Sequence, residues 1–185
     1  MNNIDELLKA KRIAIFGWPA TGKSTLSKLL EDKLDLPLFS LDDLRWKNFN
    51  GGKKDDEGFL VEYNNILEQD GWIIEGNALD WIDSRLELSD ILIFFESTPE
   101  QSIQNYLSRA ERIKSGEEKR IGFDLNLNMN STIEWIRTRY ANKIIGLRKK
   151  LEKYKHKLIL VSDFNELEEI ADFINVQTQN HSALS

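Results

Sequence analysis

Ile13-Ala14-Ile15-Phe16-Gly17-Trp18-Pro19-Ala20-Thr21-Gly22-Lys23-Ser24-Thr25-Leu26 is the stretch from which the rest of this chain can be read. Residues 13–16 form an apolar run of strand length, as expected where a strand is covered on both faces. Residues 17–24 spell G-x-x-x-x-G-K-S, and Leu26, Leu29, Leu30 and Leu34 follow at helical spacing. Strand, loop and helix in that order are the setting in which this pattern has a mechanism. Its glycines let the backbone turn N–H groups inward around phosphate oxygens. The helix N-terminus adds its partial positive charge. Gly17, Trp18, Pro19, Ala20, Thr21, Gly22, Lys23 and Ser24 are therefore the expected binding loop for ATP. Lys23 is expected to reach the β- and γ-phosphates, and the Ser24 hydroxyl to ligate Mg2+.

Further strands are expected at residues 37–40, 72–75, 91–95 and 158–161, with helices over 4–10, 59–69, 79–88 and 164–174. Thr98, Pro99 and Gln101 read as an N-cap, first helical residue and capping-box partner. Ile103, Tyr106, Leu107, Ala110 and Ile113 continue that helix as a buried stripe. From Ile133, apolar or aromatic residues at 136, 140, 144, 147, 151 and 154 mark a long helix. Residues 48–58 read as a polar, mobile loop, 114–130 lose periodicity, and the tail 177–185 is expected to fray. Strands alternating with helices imply one α/β domain over 1–176 with a parallel sheet.

The 185 residues carry 25 Lys and Arg against 31 Asp and Glu, a net charge of −6. With no cysteine, disulfides, thiolate zinc sites and cysteine nucleophiles are excluded. His156 and His181, the only histidines, leave little for a histidine metal site or a catalytic triad. No run approaches the roughly 18 apolar residues of a membrane span, and the N-terminus lacks the apolar core of a secretory signal. A cytoplasmic protein without membrane contact is expected. Residues 137–157 hold nine Lys or Arg and one acid, Glu152. That segment is either a solvated helix face or a field for a polyanion, and the net acidity argues against general nucleic-acid binding.

A GTPase would carry N-K-x-D, but Asn142-Lys143 continues as Ile144-Ile145. Asp55 to Gly58 fits D-x-x-G but lies in the polar loop, and Ile91 to Phe95 ends in Glu96-Ser97 where a motor ATPase has Asp-Glu. A small phosphotransferase remains. Pro19 and Thr25 complete G-x-P-x-x-G-K-x-T, and over residues 12–174 the chain resembles the nucleoside monophosphate kinases. It is most similar to the bacterial adenylate-kinase-related proteins known as DNA topology modulation proteins. Leu41-Asp42 with Trp46 nearby, Trp72 to Asn77, and Arg85 to Asp90 carry that likeness. The resemblance implies a three-layer sandwich around a five-stranded parallel sheet of order 2-3-1-4-5, with a short lid at about 114–130. It also adds Thr25 to the binding loop.

The same resemblance suggests roles. Asp42 or Asp43 would orient the acceptor hydroxyl or hold Mg2+ through water, although the pair also suits a helix start. Arg45 resembles the arginine that holds an acceptor phosphate. Glu75 stands where the group has a carboxylate near the metal, so Ser24 and Glu75 are the expected metal residues. Gly76 and Asn77 would meet the acceptor, and Arg85 would reach the same pocket or pair on a helix surface. Arg109 and Arg112 resemble lid arginines that act with Lys23 and Asp42 in catalysis, and at least one of Arg120, Arg137 and Arg139 is expected to face the nucleotide. Trp18, Trp46 and Trp81 are read as core. The expected function is transfer of the γ-phosphoryl of Mg-ATP to a small acceptor, a nucleotide among the candidates. The alternative is a nucleotide-binding regulator with little turnover, associated with nucleic acid through 137–157.

Overall fold

The computed structural model describes residues 3–50, 53–118 and 129–182. Strand β1 (Arg12–Gly17) is buried from Ile13 onward, because helices cover both of its faces. Around it lie β2 (Leu38–Ser40), β3 (Trp72–Glu75), β4 (Ile91–Phe95) and β5 (Leu158–Val161) in the order β2-β3-β1-β4-β5. All four pairings are parallel, with Ile15 opposite Glu75, Ser40 opposite Glu75 and Gly17 opposite Phe95. Alternate residues feed two cores. Ala14, Phe16, Ile74 and Phe94 pack beneath α3 (Asp56–Leu67), α4 (Ile82–Leu88) and the helix of residues 129–151. Ile13, Ile15, Ile93 and Phe95 pack beneath α1 (Lys23–Leu34) and the last helix, Phe164–Ser182.

Because α1 leaves β1 on one face and α4 leaves β3 on the other, a crevice opens at the carboxyl ends of these two strands. Gly17, Ser40 and Glu75 all end there. At the opposite end, Asp90 Oδ2 accepts from the Lys11 and Arg12 N–H groups, at 2.9 Å each, and secures the start of β1.

Four expectations need correction. Residues 48–58, read as a mobile loop, contain regular structure where they are described: Phe49–Asn50 pairs antiparallel with Lys53–Lys54, while residues 51 and 52 lie outside the described residues. Asp55 then caps α3 by accepting the Gly58 N–H at 2.8 Å. Asp55→Ala is expected to cost about 1 kcal/mol, read as a lower urea midpoint with unchanged slope. Second, the helix that starts at Phe164 runs to Ser182 through the tail read as frayed, since no Gly or Pro interrupts it. Third, the capping box at α5 (Pro99–Ser115) is half formed. Thr98 Oγ1 accepts the Gln101 N–H at 3.1 Å, while the Gln101 amide turns to Asn105 at 3.0 Å.

Finally, the long helix is not uniformly α. A π-turn, Ile136–Tyr140, sits between Met129–Trp135 and Ala141–Leu151, and Thr138 Oγ1 donates to the Glu134 carbonyl at 2.7 Å. The stripe at 136, 140, 144, 147 and 151 is nonetheless buried. Gly116, with φ +85°, caps α5. Of the expected lid, residues 119–128, including Arg120, lie outside the described residues. Among those described, no helix is long and apolar enough to cross a membrane.

Candidate active site

Three successive carbonyls of the loop are tied to side chains. The Gly17 carbonyl accepts from the Tyr140 hydroxyl at 2.7 Å, and the Pro19 carbonyl from the fully buried Ser102 at 2.9 Å. The Trp18 carbonyl accepts from Thr21 Oγ1 at 2.7 Å and from Lys23 Nζ at 2.6 Å. Gly17 (φ +127°), Ala20 (φ +57°) and Gly22 (φ +97°) take left-handed or related conformations that let the chain curl before α1 begins at Lys23. Carbonyls held in this way leave a loop whose amides and helix N-terminus suit an anion.

Residues 19–24 border a cavity of about 530 Å³ at the carboxyl edge of the sheet. Glu75 at the end of β3 and Gly76 and Asn77 just after it border the cavity, as do Asp42, Arg45 and Trp46 from α2 (Leu41–Lys47). Ser40 caps α2 by accepting the Asp43 N–H at 3.2 Å, which leaves the acids of its first turn to other uses. Asp42 borders the cavity and Asp43 does not. Glu75 is only 4% exposed, a carboxylate at the end of an apolar strand.

Arg45 lies over the Phe59 and Trp81 rings, 4.1 and 4.4 Å from their centres, and pairs with Asp56. Arg109 reaches the cavity from α5 and pairs with Glu118 at 3.2 Å. Arg112 pairs with the same carboxylate at 3.2 Å but does not border the cavity. The two arginines expected to act together are thus held by one acid, with only Arg109 at the site.

Other expectations also change. Arg85 does not reach the pocket and forms no surface pair. It is fully buried beneath the site, with NH1 donating to the Gly76 carbonyl at 2.8 Å and NH2 to that of Asn77. Burial lowers its pKa, opposed by the nearby Tyr63 and Glu75. Asn77 turns its side-chain oxygen to the Gly17 N–H at 3.0 Å, a loop contact where an acceptor contact was expected. Thr25 is exposed outside the cavity, and its N–H continues the helix to the Gly22 carbonyl at 3.0 Å. Arg137 and Arg139 are exposed and away from the cavity. Trp18 is core at 2% exposure, and Trp81 is half-buried against Phe59. Trp46 is 43% exposed at the cavity and is not core.

Several residues at the cavity were not anticipated: Tyr106, Trp135, Tyr140, Lys143 and Asp80. Tyr140 read only as one member of the buried stripe. Lys143 read as part of a basic run, but it pairs with Asp80 at 2.9 Å on the cavity wall. The run as a whole is largely engaged within the chain. Arg148 pairs with Glu96, Lys150 with Asp83 and Lys155 with Glu152, while Lys157 donates to the Glu87 and Ser89 carbonyls.

Oxygen donors at the cavity fit a hard divalent cation. The Ser24 hydroxyl and the Asp42 and Glu75 carboxylates are the candidates, and no cluster of three or more His, Cys, Asp or Glu exists among the described residues. Such a set suits Mg2+, which binds through few protein oxygens together with phosphates and water.

No family model matches the sequence, and no curated protein matches it. Solved structures do. A presumptive kinase from Chloroflexus aurantiacus is 22% identical, with 91% of this chain and 97% of that one aligned at a TM-score of 0.51. Shikimate kinase from Acinetobacter baumannii, in complex with shikimate, is 14% identical, with 96% and 98% covered at a TM-score of 0.53. These likenesses show the fold, a phosphate-loop kinase sandwich whose sheet order is 2-3-1-4-5.

Proposed function

We propose that this protein is a cytoplasmic ATP-dependent small-molecule kinase, with nucleotides as the first acceptor class to test. One observation carries the reading: the phosphate loop, Lys23, Arg109, Asp42 and Glu75 border the same cavity at the carboxyl edge of the sheet. Carboxylates bordering the same cavity as the loop give it a group that can orient an acceptor as well as groups that can hold Mg2+. The fold shared with small-molecule kinases agrees with this reading.

In the proposed reaction the loop amides and Lys23 hold the β- and γ-phosphates. Where the acceptor is an alcohol, Asp42 accepts its hydroxyl proton as the acceptor oxygen bonds to the γ-phosphorus. Where it is a nucleoside monophosphate, the anionic phosphate oxygen forms that bond directly and Asp42 removes no proton. The bond from that phosphorus to the β–γ bridging oxygen breaks, and ADP leaves. Arg109 exchanges Glu118 for the equatorial oxygens, over which charge is spread in the transition state. Ser24 and Glu75 would hold Mg2+, which when bound neutralises the phosphate charge. Arg45, braced on two aromatic rings, would hold the anionic group of the acceptor.

The regulatory alternative loses support because so many cations of 137–157 already have partners within the chain. The deciding experiment is ADP release from Mg-ATP against a panel of nucleoside monophosphates, sugars and hydroxy acids. At least one acceptor is expected to raise the rate tenfold or more over the rate without acceptor. ATP binding with no acceptor stimulation anywhere in the panel would replace the kinase with a nucleotide switch.

A further inference from the structure

Gly17, the first residue of the loop, is gripped on both of its peptide groups by side chains from different walls of the cavity. Its N–H donates to Asn77 Oδ1 at 3.0 Å, and its carbonyl accepts from the Tyr140 hydroxyl at 2.7 Å. Each gripping residue is itself held. Behind Asn77, the fully buried Arg85 guanidinium donates to the Gly76 and Asn77 carbonyls. Tyr140 is 2% exposed, with its ring 5.5 Å from Trp18 and 4.9 Å from Trp135.

Tyr140 also closes the π-turn of its helix. Such turns are rare and concentrate at functional sites. Burial, with Asp42 nearby, raises its pKa far above the ordinary phenol value, so the hydroxyl stays a donor throughout the physiological range. A tyrosine serving only the core would need to bury its ring; this one also aims its single donor at the carbonyl that begins the phosphate loop.

We propose that Tyr140 is a positioning residue for the phosphate loop: together with Asn77 it fixes the plane of the Gly17 peptides, and with it the direction of the amides that follow. The helix of residues 129–151, which begins where the expected lid ends, is thereby tied directly to the loop. This inference rests on the reading of the loop as the holder of ATP phosphates.

Tyr140→Phe keeps the ring and removes the one hydrogen bond. Calorimetric titration with Mg-ATP and with inorganic tripolyphosphate should show affinity reduced about fivefold to tenfold, as loss of one buried hydrogen bond implies. Both ligands should lose by the same factor, because the effect acts on phosphate and not on the base. Native-state amide exchange separates positioning from general loss of stability. Exchange across residues 17–22 should quicken while that of β5 stays as in the unmodified protein. Affinities within twofold of the original for both ligands would overturn the proposal, as would equal acceleration in β5. If the unmodified protein binds neither ligand, the nucleotide reading falls first and this inference falls with it.

Discussion

Lys23→Ala is expected to lower the rate of ADP release by on the order of 10³-fold, with the thermal midpoint changed by only a few degrees. Lys23 is 7% exposed and its ammonium lies 2.6 Å from the Trp18 carbonyl, in the loop that borders the cavity. Removing it takes away the positive charge available to a phosphoryl group whose negative charge spreads in the transition state. It does not orphan the loop, because Thr21 Oγ1 still donates to the Trp18 carbonyl at 2.7 Å. The loss should therefore be catalytic while the fold remains. Single-turnover assays with saturating Mg-ATP and the best acceptor, paired with circular dichroism, read the two quantities separately. A variant that stays folded and keeps more than a tenth of the rate would remove Lys23 from the mechanism.

Gly17→Ala should act through the fold. The backbone there has φ +127°, and an added Cβ would stand 2.7 Å from the Phe95 nitrogen and closer still to the Phe95 carbonyl oxygen. Gly17 and Phe95 are partners across β1 and β4, so relief requires separating the two central strands of the sheet. Backbone strain of about 1–3 kcal/mol adds to overpacking of about 1–3 kcal/mol. A combined loss near 4 kcal/mol is a large share of the roughly 5–15 kcal/mol that holds a domain together. The expected readout is a midpoint lower by about 8–16 °C, or protein recovered only in insoluble form. Gly116→Ala is the comparison: φ is positive there too, at +85°, but among the described residues no atom lies within 4 Å of the added Cβ, so strain alone should cost about 1 kcal/mol. Equal midpoints for the two variants would show that crowding against Phe95 contributes nothing.

How far each part of the molecule can be read from its sequence follows the range of the forces involved. The run Ile13–Phe16, the glycine spacing after it and the leucines of α1 are local signals, and strand, loop and helix form where they indicate. Thr98 and Pro99 likewise start α5, because an N-cap acts within one turn. The loop reading of 48–58 missed the start of α3 because the polar composition hid the Asp55 cap. That Lys23, Ser24, Asp42 and Glu75 border one cavity was legible, since the loop, the strand ends and the turns that follow them converge in a sheet of this type.

Arg85 was misread because a seven-residue helix with one arginine says nothing about which of its faces is buried. Burial here depends on Gly76 and Asn77, just after β3, whose carbonyls meet the guanidinium. Charge was deceptive for the same reason. Nine cations in 137–157 read as a solvated helix face or a field for a polyanion, yet Glu96, Asp83 and Asp80, far away in the chain, pair with three of them.

The strand, loop and helix positions and the phosphate loop therefore follow from periodicity, capping and spacing, which act over a few residues. The sheet order β2-β3-β1-β4-β5, in contrast, came only from the resemblance and is a matter of tertiary pairing. Which of Asp42 and Asp43, or of Arg109 and Arg112, borders the cavity was settled only by packing, because neighbours on a helix differ by the direction they face. The contact between Tyr140 and Gly17 spans 123 residues, and no local pattern encodes it. It exists because the buried face of the helix of residues 129–151 settles against the carboxyl end of β1, bringing a hydroxyl and a carbonyl together where water cannot serve either.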